Sequence, residues 1–277
     1  MGKFNGIEAM CYSRNVEIGG LIIFQPATLI MNIVALCMTS VMVYHVKTKY
    51  TAVGRKEIAM FLQLYLVTVF LEMLLLSNII PTASILYPYF TAAHLGLITA
   101  TCWCLLLNGF IGFQFIEDGT KISLWIMRIS SFIVFLLVWI ISILTFLNIS
   151  PFSTATASMI WTIYYILNGI MIFTYTVSQI ILVVYTLEDR WPLGDIAFGV
   201  LFFVSGLVTM YVFSVTICEE VKHYLDGMFF GTMFNLLSVM MIYKYWDSIT
   251  KEDLEFSIDA KQRTWELETL LVNEKEK

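Results

Sequence analysis

Seven stretches of this chain are almost free of charge and at least 17 residues long: Gly19–Val46, Ile58–Ile80, Tyr89–Ile116, Ile122–Leu147, Met159–Leu187, Ile196–Ile217 and Gly227–Tyr243. About 17–25 apolar residues are enough for a helix to cross the hydrocarbon of a bilayer. Inside that hydrocarbon every backbone N–H and C=O must be satisfied within the protein, which leaves helices or closed barrels. Runs of this length are far too long for barrel strands. The expected fold is an all-α polytopic membrane protein with seven transmembrane helices. Little remains for anything else: 13% of the residues are charged, against about 25% in a soluble domain. The expected division is a segment 1–18, a seven-helix domain 19–245 and an acidic tail 246–277. The opening residues, MGKFNGIEAMCYSRNVEI, hold no apolar core of the kind a secretory leader needs.

Basic residues orient the helices, because Lys and Arg accumulate on the cytosolic side. With seven spans, 13 of the 16 Lys and Arg fall on the side of the first, third and fifth loops and the C-terminal tail, leaving Lys3, Arg14 and Lys222 opposite. The N-terminus is therefore expected to be lumenal or extracellular and the C-terminus cytosolic. Cys11 and Cys218 both fall on the oxidising side, whereas Cys37, Cys102 and Cys104 lie within spans. A Cys11–Cys218 disulfide is expected.

Ionisable groups inside a bilayer are costly and usually have a structural or functional reason. Glu72 and His94 sit in the outer halves of adjacent spans, nine residues before Pro81 and six after Pro88. They are expected to face each other as a structural pair. Gly227 and Gly231 are four apart and share a helix face, where another helix, of this chain or of a client, can approach closely. The three histidines, His45, His94 and His223, fall at different levels, so no metal ligand set assembles from sequence and neither an enzyme nor a cofactor is expected. A seven-helix receptor matches the span count and orientation, but no Asn-Pro-x-x-Tyr closes the last span. A solute transporter would need polar groups gathered at the midplane; Asn108, Gln114, Asn168, Gln179 and Asn235 are explained equally well by helix–helix hydrogen bonds.

Several blocks resemble the fungal chitin synthase export chaperone family: ICEEVKHYLDGMFFG (Ile217–Gly231), YKYWDSITKEDLEF (Tyr243–Phe256), CYSR (Cys11–Arg14), KYTAVGRKE (Lys49–Glu57), YPYF (Tyr87–Phe90) and GFIGFQFIEDGT (Gly109–Thr120). They are spread in order over most of the chain. The resemblance implies a protein of the endoplasmic reticulum membrane that promotes folding and export of a chitin synthase, its membrane protein client. It needs no cofactor and no nucleic acid. Lateral binding of client helices within the lipid bilayer is the mechanism this implies. In that setting Asp253-Leu254-Glu255 is an acidic-x-acidic triplet of the type that vesicle coat proteins read.

Overall fold

The computed structural model describes residues 11–19, 21–50, 52–113, 119–149, 158–186 and 190–250. A two-stranded antiparallel hairpin comes first, β1 (Val16–Ile18) and β2 (Leu21–Ile23), with Val16 opposite Ile23. This differs from the expected first span, which began at Gly19. Gly19 takes a positive φ at the hairpin turn, and the flanking Val and Ile favour extended backbone. Pro26 opens helix α1 (Pro26–Thr48), where its fixed φ and missing N–H cost nothing.

The chain continues through α2 (Arg55–Leu76), α3 (Tyr87–Ile111) and α4 (Lys121–Phe146). Next, α5 (Ser158–Trp161) passes through a π-helical turn (Thr162–Leu167) into α6 (Asn168–Thr186). Then come α7 (Pro192–Tyr211), the short α8 (Ser214–Glu220) and a helix α9 over residues 227–250. Six helical segments among the described residues are long and apolar enough to span a membrane: α1, α2, α3, α4, the continuous Ser158–Thr186 and α7. The expected sixth span, Ile196–Ile217, is thus interrupted: α7 ends at Tyr211, and Phe213 donates its N–H to the Val208 carbonyl as the chain turns into α8.

Buried faces mix large apolar side chains, such as Phe61, Leu62 and Tyr65 on α2, with small and polar ones. On α1 the buried positions are Thr28, Asn32, Ala35, Thr39, Met42 and Val46, spaced three or four apart along one face, while Ile30, Val34 and Val41 point outward. Small inward residues let helices approach where no hydrophobic gain separates lipid from protein. Hydroxyls on these faces are satisfied locally, as when Thr39 Oγ1 donates to the Ala35 carbonyl at 2.7 Å. The α3 helix is central and packs against α2, α4 and α6. Gln179 Nε2 on α6 donates to the Gly109 carbonyl on α3 at 3.1 Å, and a Cβ at Gly109 would lie 2.9 Å from the Tyr175 ring. The ring is closed by α9, whose Ser238 Oγ donates to the Gly199 carbonyl of α7 at 2.9 Å and whose Leu236, Val239 and Trp246 join the core shared with α1 and α2.

Candidate functional site

Polar chemistry concentrates at the two ends of the bundle. At the hairpin end, the segment before β1 is pinned to the turn between α8 and α9. Cys11 and Cys218 are joined as a disulfide with their Cα atoms 6.3 Å apart. Arg14 N–H donates to the His223 carbonyl at 2.8 Å, and the Arg14 guanidinium lies 3.7 Å above the Tyr224 ring. Lys222 and His223 both adopt positive φ, 52° and 61°, a left-handed conformation uncommon for residues with side chains. His223 Nδ1 lies 3.4 Å from Cys11 Sγ and 3.2 Å from Cys218 Sγ. These three side chains form a grouping that spacing along the chain does not reveal, but with the two sulfurs bonded to each other neither offers the thiolate that a metal would need.

The centre of this clasp is Asp226, which is wholly buried. Its Oδ1 accepts from Phe229 N–H at 2.9 Å and from Thr28 Oγ1 at 3.0 Å, and its Oδ2 accepts from Ser13 N–H at 3.2 Å. One carboxylate thus caps α9, holds the first turn of α1 and ties down the N-terminal segment. The signal was present in the sequence, since an Asp directly before an apolar run is a helix N-cap; its other two partners are far away in sequence and carry no such mark.

Gly227 and Gly231 face the same chain. A Cβ at Gly227 would lie 2.6 Å from Ser214 Oγ and 3.1 Å from the Ser214 Cα, and one at Gly231 would lie 3.4 Å from Met210 Sδ. The two glycines seat α9 against α8 and the end of α7, so this face is already covered. Glu72 and His94 approach each other from α2 and α3, with Oε2 and Nε2 4.0 Å apart. That is longer than a hydrogen bond, and both side chains are half-buried.

At the opposite end, contacts tie the end of α9 to α1, to the first connection and to α7, and tie the third connection to the start of α2. Asp247 pairs with Lys49, and Tyr243 bonds His45. Lys244 Nζ lies 2.9 Å from Asp195 Oδ1. Glu57, also wholly buried, accepts from Gly119 N–H at 2.8 Å, and Lys56 Nζ donates to the Gly119 carbonyl at 3.1 Å. Tyr245 and Trp246 are buried, and Trp246 Nε1 donates to the Val53 carbonyl at 3.0 Å. Asp253 and Glu255 lie outside the described residues.

The arrangement is a closed helical ring with tied ends and no gathered catalytic groups at its centre among the described residues. Against known proteins, the family model described as chitin synthase export chaperone matches residues 1–260. The chain belongs to the chitin synthase export chaperone family. Similar members include the chitin synthase export chaperone of Phaeosphaeria nodorum, 53% identical over 269 residues, 97% of this chain and 81% of that protein. Those of Coccidioides immitis and Neurospora crassa are each 52% identical, covering 97% and 96% of this chain and 81% and 74% of the relatives. No solved structure matches the chain. Family membership turns attention from a central cavity to the surfaces that the ring leaves uncovered. Of its six candidate spans α7 is the least covered by the rest of the chain, 11% of its apolar window being buried against 22–44% in the others. Phe198, Leu201, Val204 and Val208 form its outward stripe.

Proposed function

We propose that this protein promotes the folding and export of a chitin synthase from the endoplasmic reticulum by binding client transmembrane helices laterally. Family similarity over nearly the whole chain carries the reading. The outward stripe of α7 is the client face in this reading. It is long, apolar and uncovered, and it lies opposite the buried Gly199 and Gly206, which hold α7 against α9. A client helix with a poorly packed face is shielded there until its own partners are in place. The chemistry is association alone, with no catalytic step.

The accompanying topology has seven spans, with α9 as the seventh, the hairpin end lumenal and the C-terminus cytosolic. Support comes from the division of basic residues, 13 to 3. The Cys11–Cys218 bridge belongs to the lumenal side, and the acidic triplet at Asp253 and Glu255 is then positioned in sequence to meet vesicle coat proteins. Protease treatment of sealed microsomes is expected to remove a C-terminal tag; a protected tag overturns the orientation. Purification in mild detergent is expected to bring down a chitin synthase. Phe198→Ala with Leu201→Ala is expected to lower that recovery while leaving the level of this protein unchanged. Undiminished recovery with the double variant moves the client face elsewhere, and recovery of a heterotrimeric G protein in place of a chitin synthase overturns the function.

A further inference from the structure

A half-open groove of about 720 Å³ runs down the bundle from the basic end, between α2 and α4 and over α3. Its mouth is lined by Lys47, Arg55, Lys56 and Arg128, and none of the described residues that line it is acidic. Below the mouth the walls turn apolar, with Met60 and Leu64 on α2 and Phe132 and Phe135 on α4. The floor is kept low by small residues, Ala59 and Ala100.

Spacing along the two walls sets its depth. Lys56, Met60 and Leu64 follow one face of α2, and Leu124, Arg128, Phe132 and Phe135 one face of α4. At 1.5 Å per residue these runs cover roughly 12–16 Å, close to half of a hydrocarbon core about 30 Å thick. The groove is therefore one leaflet deep, charged at one end and mainly apolar along the rest, where Gln63 and Ser131 are the polar side chains.

Carboxylates among the described residues do not neutralise the cations at its mouth. Arg55 Nη1 donates to the Lys47 carbonyl at 3.2 Å and its guanidinium lies 5.3 Å from the Tyr50 ring. Lys56 spends one of its three donors on the Gly119 carbonyl. Among the described residues none of the four is in an ion pair. Arg128 lies seven residues into α4, roughly 10 Å below its start. An arginine at such depth is costly without an anionic partner or a route to the headgroups.

We propose that this groove binds one anionic glycerophospholipid of the leaflet at the basic end, its phosphorylated headgroup among Lys47, Arg55, Lys56 and Arg128 and an acyl chain along Leu64, Phe132 and Phe135. Charge complementarity sets the headgroup, since basic pockets between membrane helices favour multiply charged phosphate headgroups. Depth sets the chain: a soluble phosphate leaves the apolar length unfilled. The site is separate from the α7 face and stands whether or not α7 holds the client.

The test uses the full-length protein in nanodiscs of phosphatidylcholine, with and without a few per cent phosphatidylinositol 4-phosphate. Retained lipid is counted by native mass spectrometry after gentle release. Phosphatidylinositol 4-phosphate is expected to be retained in preference to phosphatidylcholine. Arg128→Gln and Lys47→Gln are each expected to lower its affinity about fivefold, from the contribution of one cation near a charged membrane surface. Neither side chain supports the fold through an ion pair among the described residues, and size-exclusion profiles confirm intact protein. The free headgroup, inositol 1,4-bisphosphate, is expected not to compete at equal concentration. Equal retention of the two lipids, or unchanged affinity in both variants, refutes the site. Competition by the free headgroup reduces it to a surface phosphate contact and refutes the lipid. Lipid binding that appears only after removal of residues 251–277 makes the acidic tail the native occupant and likewise overturns the proposal.

Discussion

Replacing Asp226 by Ala tests whether a single buried carboxylate fastens the hairpin end. The change orphans three donors at once: Phe229 N–H, Ser13 N–H and Thr28 Oγ1. Loss of a helix N-cap costs about 1 kcal/mol, and each further buried donor left without a partner costs about 1–3 kcal/mol. Water entering the vacated space recovers part of this, so a loss of about 3–5 kcal/mol is expected. For a chain of this size that corresponds to a fall in Tm on the order of 10 °C. Asp226→Asn separates charge from shape. With its amide oxygen in the Oδ1 place it still caps α9 and accepts from Thr28 Oγ1, but its NH2 then meets the Ser13 N–H donor, so an intermediate loss is expected. The assay is thermal unfolding in mild detergent followed by size-exclusion chromatography, with labelling of Cys11 and Cys218 under mild reductant read in parallel. Because Asp226 holds the segment that carries Cys11, the alanine variant is expected to be reduced faster at the bridge. A variant within about 0.5 kcal/mol of the parent, the range of surface substitutions away from special features, refutes the clasp. So does a large Tm loss with unchanged reduction at the bridge, which would confine the role of Asp226 to capping α9.

Three further outcomes are expected. Thiol labelling of the native protein should show Cys11 and Cys218 reactive only after reduction, and Cys11→Ser should lower Tm, since the bridge closes a loop of 207 residues; equal labelling with and without reductant removes the bridge. Glu72→Gln and His94→Asn should each lower abundance or Tm while the surviving protein still exports its client, and a fully stable but inactive variant would show that this pair does more than hold α2 against α3. Asp253→Ala with Glu255→Ala should slow delivery of chitin synthase to the cell surface and leave client co-purification intact. The two carboxylates are two apart and share a side in extended backbone, so losing both weakens one contact; a parallel fall in client binding would make the tail part of the client surface.

Hydropathy is a property of local composition, and what depends on it was legible in the sequence: apolar helices in order, short polar connections and the grouping of basic residues. The proximity of Glu72 and His94 was also readable, because two helices joined by a short turn bring residues within two turns of their joined ends to similar depth. The resemblance blocks located the family before any geometry was known. Contacts between residues far apart in sequence are decided by how helices rotate and slide against each other, and uniformly apolar helices leave that rotation almost unmarked. The direction in which Gly227 and Gly231 face was therefore open, and only packing turned them toward Ser214 and Met210. By composition Tyr245 and Trp246 suit a membrane surface, but both are buried, and the loop between α1 and α2 gives the Trp246 indole a carbonyl at Val53. The hairpin at Val16–Ile23 was hidden because its apolar residues merge with those of α1, and the start of the helix is settled at Pro26 by backbone geometry. Asp226 gathers partners from positions 13, 28 and 229: local chemistry marks the last of these, and only the closed ring of helices brings the first two within reach.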